Sequence, residues 1–310
     1  MSRIIATSAY LPGGPVSNDQ LIERYQLDSS DEWIVQRTGI KQRYFTDQSV
    51  GYVASQAAKA LLEAHPQVEV SQIKHIIVAT MSSKGEAPSV ASQVQGAIGA
   101  TNAWGVDVNG ACSGFIMALE LANKLSAPER EGYTLVIGAE KMSQILDLTD
   151  RSTAVLFGDG AGAVLIQHDG EPLLHSISKV ATQADELGAI TVDGDPTIMQ
   201  MQGRYVFNFV KRTVIQSLAD FITQHHLDYD YLICHQANAR LLQLFADKLD
   251  LTPEQVPANV ERVANTSGAS IPILIHDLVE AGKLRLDGSQ SVILCGFGAG
   301  LAWGQIYLSL

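Results

Sequence analysis

The chain is poor in cysteine, with three in 310 residues, and in positive charge, with 21 basic side chains against 33 acidic ones. Three thiols cannot all pair, and Cys234 and Cys295 lie inside the apolar runs YLICH and SVILCGF. That pattern disfavours a disulfide framework and suits buried thiols in a reducing compartment. A formal charge of −12 leaves no broad basic face for nucleic acid, so an acidic partner would need a local basic patch. The opening MSRIIATSAYLPGGP lacks the long apolar core and cleavage signature of a secretory signal, which makes the cytoplasm the expected location. One stretch, Val292 to Leu310, is free of charged side chains and about as long as a membrane span. However, Gly296, Gly298, Gly300 and Gly304 interrupt it, and two buried strands are expected there with no membrane contact.

What the chain does have is apolar bulk. With 46% hydrophobic residues it can bury most of its surface, and its length allows two domain-sized halves. RIIATSAYL, HIIVAT, WGVDV, TLVIGAE and AVLI read as short buried strands, whereas GYVASQAAKALLEAH, ASQVQGAIGA and SGFIMALELANKLS have helical spacing. The alternation returns with the helical YVFNFVKRTVIQSLADFITQ and ARLLQLFADKLD, the strand YDYLICH, and the helical SIPILIHDLVEAGK. An α/β architecture of parallel sheets covered by helices is the expectation. FGDGAGAVLI, from Phe157, echoes GFGAGLAWGQI, from Gly296, which suggests two similar halves, 1–170 and 171–310, with a boundary near Gly170 to Pro172. The glycine runs are not a dinucleotide fingerprint. The run from Gly296 leaves no room for a βαβ unit before the chain ends, and the run from Gly158 leads into a strand.

Chemistry concentrates at Cys112, which follows WGVDVNGA and precedes a helical pattern. At a helix N-terminus, free backbone N–H groups and the helix dipole favour thiolate and could hold an oxyanion. The small neighbours Gly110, Ala111, Ser113 and Gly114 suggest space for a ligand; a buried core cysteine is the bland alternative. His235 ends the apolar run YLIC and opens HQANARL, which puts it at a strand's carboxyl end. His65, His225 and His226 have turn or helix-end contexts. A satisfied core histidine is the alternative for His235. Asn265, in VANTSGASIPILI, stands in a polar loop before a helix, where capping is the simpler explanation. Cys, His and Asn in this order also occur in papain-type proteases, but no CGSCW-like run surrounds Cys112.

NGACSGF, HQANARL and NTSGAS are similar to the three active-site motifs of the thiolase-fold condensing enzymes, and among these to β-ketoacyl-acyl-carrier-protein synthase III. SSDEWIVQRTGIKQRY, TDRSTAVLFGDGAGAVLI and GFGAGLAWG extend the resemblance through most of the chain. It implies a thiolase-like fold, two similar halves with mixed sheets layered α-β-α-β-α. It implies a homodimer that needs no cofactor, and no metal-ligand spacing is seen. It also implies that Cys112 takes an acyl group from an acyl-coenzyme A, and that His235 and Asn265 then stabilise the enolate formed as malonyl-acyl-carrier protein loses carbon dioxide. The backbone N–H groups of Cys112 and Ala299 would hold the oxyanion. Trp33, Arg37 and Arg151 match positions at the adenine end of coenzyme A, and Gly203 and Asn238 match positions near its pantetheine arm. Acyl carrier protein is acidic, so docking wants cations; Arg240, Lys211 and Lys248 are the expected ones, with Asn208 where relatives often carry a lysine. Ala87 stands where relatives often carry an aromatic that limits the partner's acyl pocket, so a primer larger than acetyl is conceivable. The rivals are an acyltransferase or secondary-metabolite condensing enzyme of the same fold, a cysteine hydrolase, and a non-catalytic acyl-coenzyme A binding protein.

Overall fold

A computed structural model describes residues 1–83, 87–194 and 197–310. Two sheets and three layers of helix alternate. The first sheet has the order β1 (Arg3–Tyr10), β7 (Gly160–Gln167), β6 (Tyr133–Glu140), β4 (Ile73–Ala79), β5 (Trp104–Val108). The second has the order β11 (Tyr231–Cys234), β12 (Ser291–Gly298), β13 (Ala302–Ser309), β8 (Ile177–Thr182). Two small ribbons, β2 (Val16–Ser17) with β3 (Gln42–Arg43) and β9 (Ile190–Asp193) with β10 (Ile198–Met201), lie outside these sheets.

The helices are α1 (Asn18–Tyr25), α2 (Asp31–Thr38), α3 (Val50–Ala64), α4 (Val90–Ile98), α5 (Gly114–Ser126) and α6 (Arg151–Ala154). They continue with α7 (Gly203–Phe209), α8 (Ile215–His225), α9 (Ala239–Leu249), α10 (Val260–Val263) and α11 (Ser270–Glu280). α3 and α4 cover the outer face of the first sheet, α5 and α11 fill the space between the sheets, and α8 and α9 cover the second sheet's outer face.

The apolar runs explain this layering. In β4, Ile76 and Val78 pack outward with α3, while Ile77 and Ala79 pack inward with α5. A strand covered on both faces must be apolar at every position, which is why HIIVA shows no alternation. β12 does the same, with Val292 and Leu294 inward and Ile293, Cys295 and Phe297 outward. This arrangement also places the free thiols of Cys234 and Cys295 in the outer core, fully buried. α3 is begun by Ser49, whose hydroxyl accepts the Tyr52 N–H at 3.2 Å, and it ends at His65, the residue before Pro66.

The α/β class and the layering are as expected, but the sheets are not parallel throughout. β5, β4 and β6 run parallel, as do β11 and β12, whereas β7 is antiparallel to both β1 and β6 and β13 is antiparallel to both β12 and β8. For β12 and β13 connection length dictates the direction, because a parallel return needs a crossover of a dozen residues or more and only 299–301 separate the two strands. The two glycine-rich echoes fall on equivalent strands: β7 lies between β1 and β6 as β13 lies between β8 and β12. The stretch from Val292 to Leu310 is the strand pair β12 and β13, and no helix among the described residues is long and apolar enough to cross a membrane.

Candidate active site

Three elements deliver the three polar side chains. β5 leads through Asn109 into a tight turn, Ala111–Ser113, that carries Cys112 and continues as α5. α5 is anchored by Phe115, Ile116, Leu119 and Ala122, all fully buried, at roughly 1.5–3 kcal/mol for each large side chain, so the turn rests on a rigid helix. His235 follows the last residue of β11, and its backbone N–H donates to the Cys295 carbonyl at 2.8 Å. Asn265 lies in the loop between α10 and α11, where its N–H donates to Leu156 and its carbonyl accepts the Gly158 N–H. Cys112, His235, Asn265 and Ala299 line one cavity of about 150 Å³, together with Gly203 and Asn238. Met81, Leu156, Phe157, Met199 and Phe207 make its wall apolar.

The expected role of the small residues around Cys112 changes. Of that motif only Ala111 and Cys112 reach the cavity. Gly110 is small because neighbours crowd it: a Cβ there would meet Met117 Sδ and come within 3.0 Å of Gly114 Cα. Gly298 faces the nucleophile itself, and a Cβ there would lie 2.8 Å from the Cys112 nitrogen and 3.0 Å from its Cβ. Strand β12 can therefore approach Cys112 only as glycine.

The thiol is also less acidic than a helix start suggests. Burial pushes the Cys112 pKa up to about 12, although Ser267 and the turn's own N–H pull it down, and the nearby Glu140 carboxylate adds to the rise. The apolar wall outweighs the helix dipole because a thiolate there has few donors to replace water. Alkylation of Cys112 by iodoacetamide is therefore expected to accelerate about tenfold per pH unit from 7 to 10 without levelling off. A plateau near pH 8, where a free thiol titrates, would contradict the desolvation account.

His235 is 2% exposed, and burial lowers its pKa to about 3, so the imidazole is neutral at physiological pH. Its Nδ1 lies 2.7 Å from Ser270 Oγ, and its ring meets Phe297 edge to face at 5.2 Å. Asn265 does not cap a helix. Its Oδ1 accepts the Ser267 N–H at 2.8 Å, which leaves the Nδ2 amide as its donor end. Beneath them the buried Glu140 carboxylate accepts from the Met81 and Gly268 N–H groups and from Ser82 Oγ at 2.6 Å, tying the loop after β4 to the Asn265 loop. Burial raises its pKa to about 7.

Trp33, Arg37 and Arg151 come together away from the cavity wall, on α2 and α6. The guanidinium of Arg151 lies 5.1 Å from the Trp33 ring and that of Arg37 lies 5.7 Å from it. α2 packs on α9, whose N-cap is Asn238, with Oδ1 accepting the Leu241 N–H at 3.0 Å. The indole cluster and the cavity are thus joined through α9. Arg240 is exposed in the first turn of α9 beside cavity residues Asn238 and Leu241, whereas Lys248 lies about 12 Å further along the helix axis. Lys211 is exposed in the π turn Val210–Val214 between α7 and α8, and Asn208 is exposed on α7. Ala87 is exposed and borders residues 84–86, which lie outside the described residues. Sequence reasoning missed Ser267, Ser270, Glu140 and the exposed Arg204, which follows cavity residue Gly203. Serines and a glutamate inside apolar or loop segments give no signal until the fold places them on the site.

Two sheets between three helical layers, with a thiol, an imidazole and a carboxamide on one cavity, define a thiolase-fold condensing enzyme. The family model described as 3-oxoacyl-[acyl-carrier-protein (ACP)] synthase III matches residues 106–185, and its C-terminal counterpart matches residues 224–310. Beta-ketoacyl-[acyl-carrier-protein] synthase III of Streptococcus suis is 42% identical over 326 residues and that of Enterococcus faecalis 43% identical over 324, each covering 100% of this chain and 99% of the relative. The crystal structure of 3-oxoacyl-[acyl-carrier-protein] synthase III from Aquifex aeolicus superposes with a TM-score of 0.92 at 34% identity, covering 100% of both chains. The priming beta-ketosynthase of the R1128 polyketide pathway superposes with a TM-score of 0.91 at 29% identity, covering 100% of this chain and 96% of that one. The chain belongs to the β-ketoacyl-acyl-carrier-protein synthase III family.

Proposed function

We propose that this protein joins a short acyl-coenzyme A to malonyl-acyl-carrier protein, with loss of carbon dioxide, to give the β-ketoacyl-carrier product that starts fatty acid synthesis. The observation that carries this reading is the single apolar cavity shared by Cys112, a neutral His235 and the donor end of Asn265. Cys112 attacks the thioester carbonyl, the coenzyme A sulfur leaves with the thiol proton, and a neutral acyl-Cys112 remains. Acylation suits a site that resists a thiolate, since the thioester carries no charge to desolvate. The malonyl C–C bond then breaks, and the electron pair passes to the thioester oxygen, which His235 and Asn265 receive as hydrogen-bond donors. The resulting carbanion attacks acyl-Cys112, whose oxyanion is held by the N–H groups of Cys112 and Ala299, and collapse expels the Cys112 sulfur, which takes a proton from water to restore the thiol. Each step needs only donors and the thiol, so the reaction calls for no bound metal or prosthetic group.

Trp33, Arg37 and Arg151 hold the adenine end of coenzyme A, and Gly203 and Asn238 line the path of its pantetheine arm. Trp33→Ala is expected to raise KM for acyl-coenzyme A about tenfold, the scale of one desolvated stacking and cation–π contact, with kcat within twofold. Steady-state kinetics check this. Arg240, exposed beside cavity residues Asn238 and Leu241, is the leading contact for the acidic carrier protein, supported by Lys211; Lys248 lies further off. A homodimer is supported by β5, an edge strand unpaired on its outer side among the described residues, where Trp104 is 50% exposed. Light scattering is expected to give twice the 33.3 kDa chain mass. The reduced, buried Cys234 and Cys295 support a cytoplasmic location.

A hydrolase would need a base to activate water, and an imidazole held near a pKa of 3 is a poor one at neutral pH. The polyketide priming enzyme shares the fold at 29% identity, below the 42–43% of the curated relatives, which favours the fatty acid reaction. The deciding experiment measures labelled carbon dioxide released from malonyl-acyl-carrier protein with and without acyl-coenzyme A. Release that depends on the primer and matches β-ketoacyl product supports the proposal. Product without carbon dioxide would replace it with simple acyl transfer.

A further inference from the structure

A neutral imidazole carries one proton on two nitrogens, so His235 can offer the cavity either a donor or an acceptor. The surroundings of its Nδ1 decide which. Ser270 Oγ lies 2.7 Å from Nδ1, and the same oxygen accepts the backbone N–H of Gln236 at 3.3 Å. Both side chains are buried, Ser270 fully and His235 with 2% exposure, and no third partner of Ser270 Oγ is found among the described residues. If Nδ1 carried the proton, Oγ would accept twice and its own hydrogen would be buried without an acceptor, at a cost of about 1–3 kcal/mol. If the hydroxyl donates to Nδ1, every group is satisfied and the imidazole proton sits on Nε2.

We propose that Ser270 is a positioning residue that fixes His235 in the Nε2–H form, so that the cavity meets a hydrogen-bond donor. This rests on the reading that His235 stabilises an enolate. Ser270 is well placed for the task, because it is the first residue of α11, which Ile271, Ile273 and Ile275 fix in the core. The segment from Asn265 to Ser270 then orients both donors, Asn265 through the Ser267 N–H and His235 through the Ser270 hydroxyl.

The test combines kinetics with a direct view of the ring. In full-length protein with 15N-labelled histidine, the His235 signals, assigned by their loss in His235→Asn, should show the proton on Nε2 and an unprotonated Nδ1. Ser270→Ala should mix the two forms and lower primer-dependent decarboxylation about 10²-fold, the scale of losing one preorganised donor, while acylation of Cys112 stays within twofold. Ser270→Thr, which keeps the hydroxyl, should recover most of the rate. An Nδ1–H signal in the wild type overturns the proposal, as does unchanged decarboxylation in Ser270→Ala or an equal fall in both half-reactions. If Ser270→Ala does not fold, the wild-type spectrum decides alone. If the wild type releases no carbon dioxide, the proposed function fails while the spectrum still tests the role of Ser270.

Discussion

Cys112→Ala is expected to abolish the acyl adduct and to lower condensation by about 10⁴-fold or more, the scale of losing a covalent nucleophile. The fold should survive, since the side chain is half-buried at a cavity wall and the change removes one sulfur from a turn that α5 and β12 continue to hold. Decarboxylation should behave differently. The donors of His235 and Asn265 remain in place, so malonyl-acyl-carrier protein should still lose carbon dioxide slowly, now without a primer and without β-ketoacyl product. Circular dichroism, intact mass and product analysis on one preparation separate these outcomes. An adduct that persists in Cys112→Ala would place the nucleophile elsewhere.

His235→Ala and Asn265→Ala carry the second large effect, in the opposite half of the reaction. Each removes one donor from the position where charge develops and should lower decarboxylation and condensation by about 10²–10³-fold. Acylation of Cys112 should continue, because the oxyanion of that step is held by backbone N–H groups, and the acyl-enzyme should accumulate. The double variant should lose less than the product of the two single losses, since both groups serve one oxygen. Rapid-quench measurement of adduct and carbon dioxide in the same samples checks the split. If both variants lose adduct formation to the same degree, His235 and Asn265 serve the thiol instead of the enolate.

Much of this was legible in the sequence because its signals are local. HIIVAT and SVILCGF are apolar at every position, which marks strands covered on both faces, and Cys112, His235 and Asn265 each stand where a strand or loop meets a helical pattern. The three side chains do line one cavity, and the indole of Trp33 does carry two guanidinium groups. What the sequence did not reveal depends on distance across the fold. Apolar periodicity alone suggests parallel sheets, and only the family resemblance implies the mixed directions found; the small β8, β9 and β10 lack an apolar core pattern of their own. The low acidity of Cys112 has a similar origin. A helix start is visible in the chain, whereas the wall of Leu156, Phe157 and Met199 that desolvates the thiol comes from distant segments. Ser270 gains its meaning from a partner 35 positions away, and Glu140 from partners 58 to 128 positions away.

The most direct test of the central claim is intact-protein mass spectrometry of the wild type after incubation with acetyl-, butyryl- and isobutyryl-coenzyme A, followed by a chase with malonyl-acyl-carrier protein. One acyl group per chain on Cys112, discharged by the chase as β-ketoacyl-carrier product, is the expected result. No adduct with any primer, or an adduct that the chase leaves in place or releases only as free acid, would contradict it.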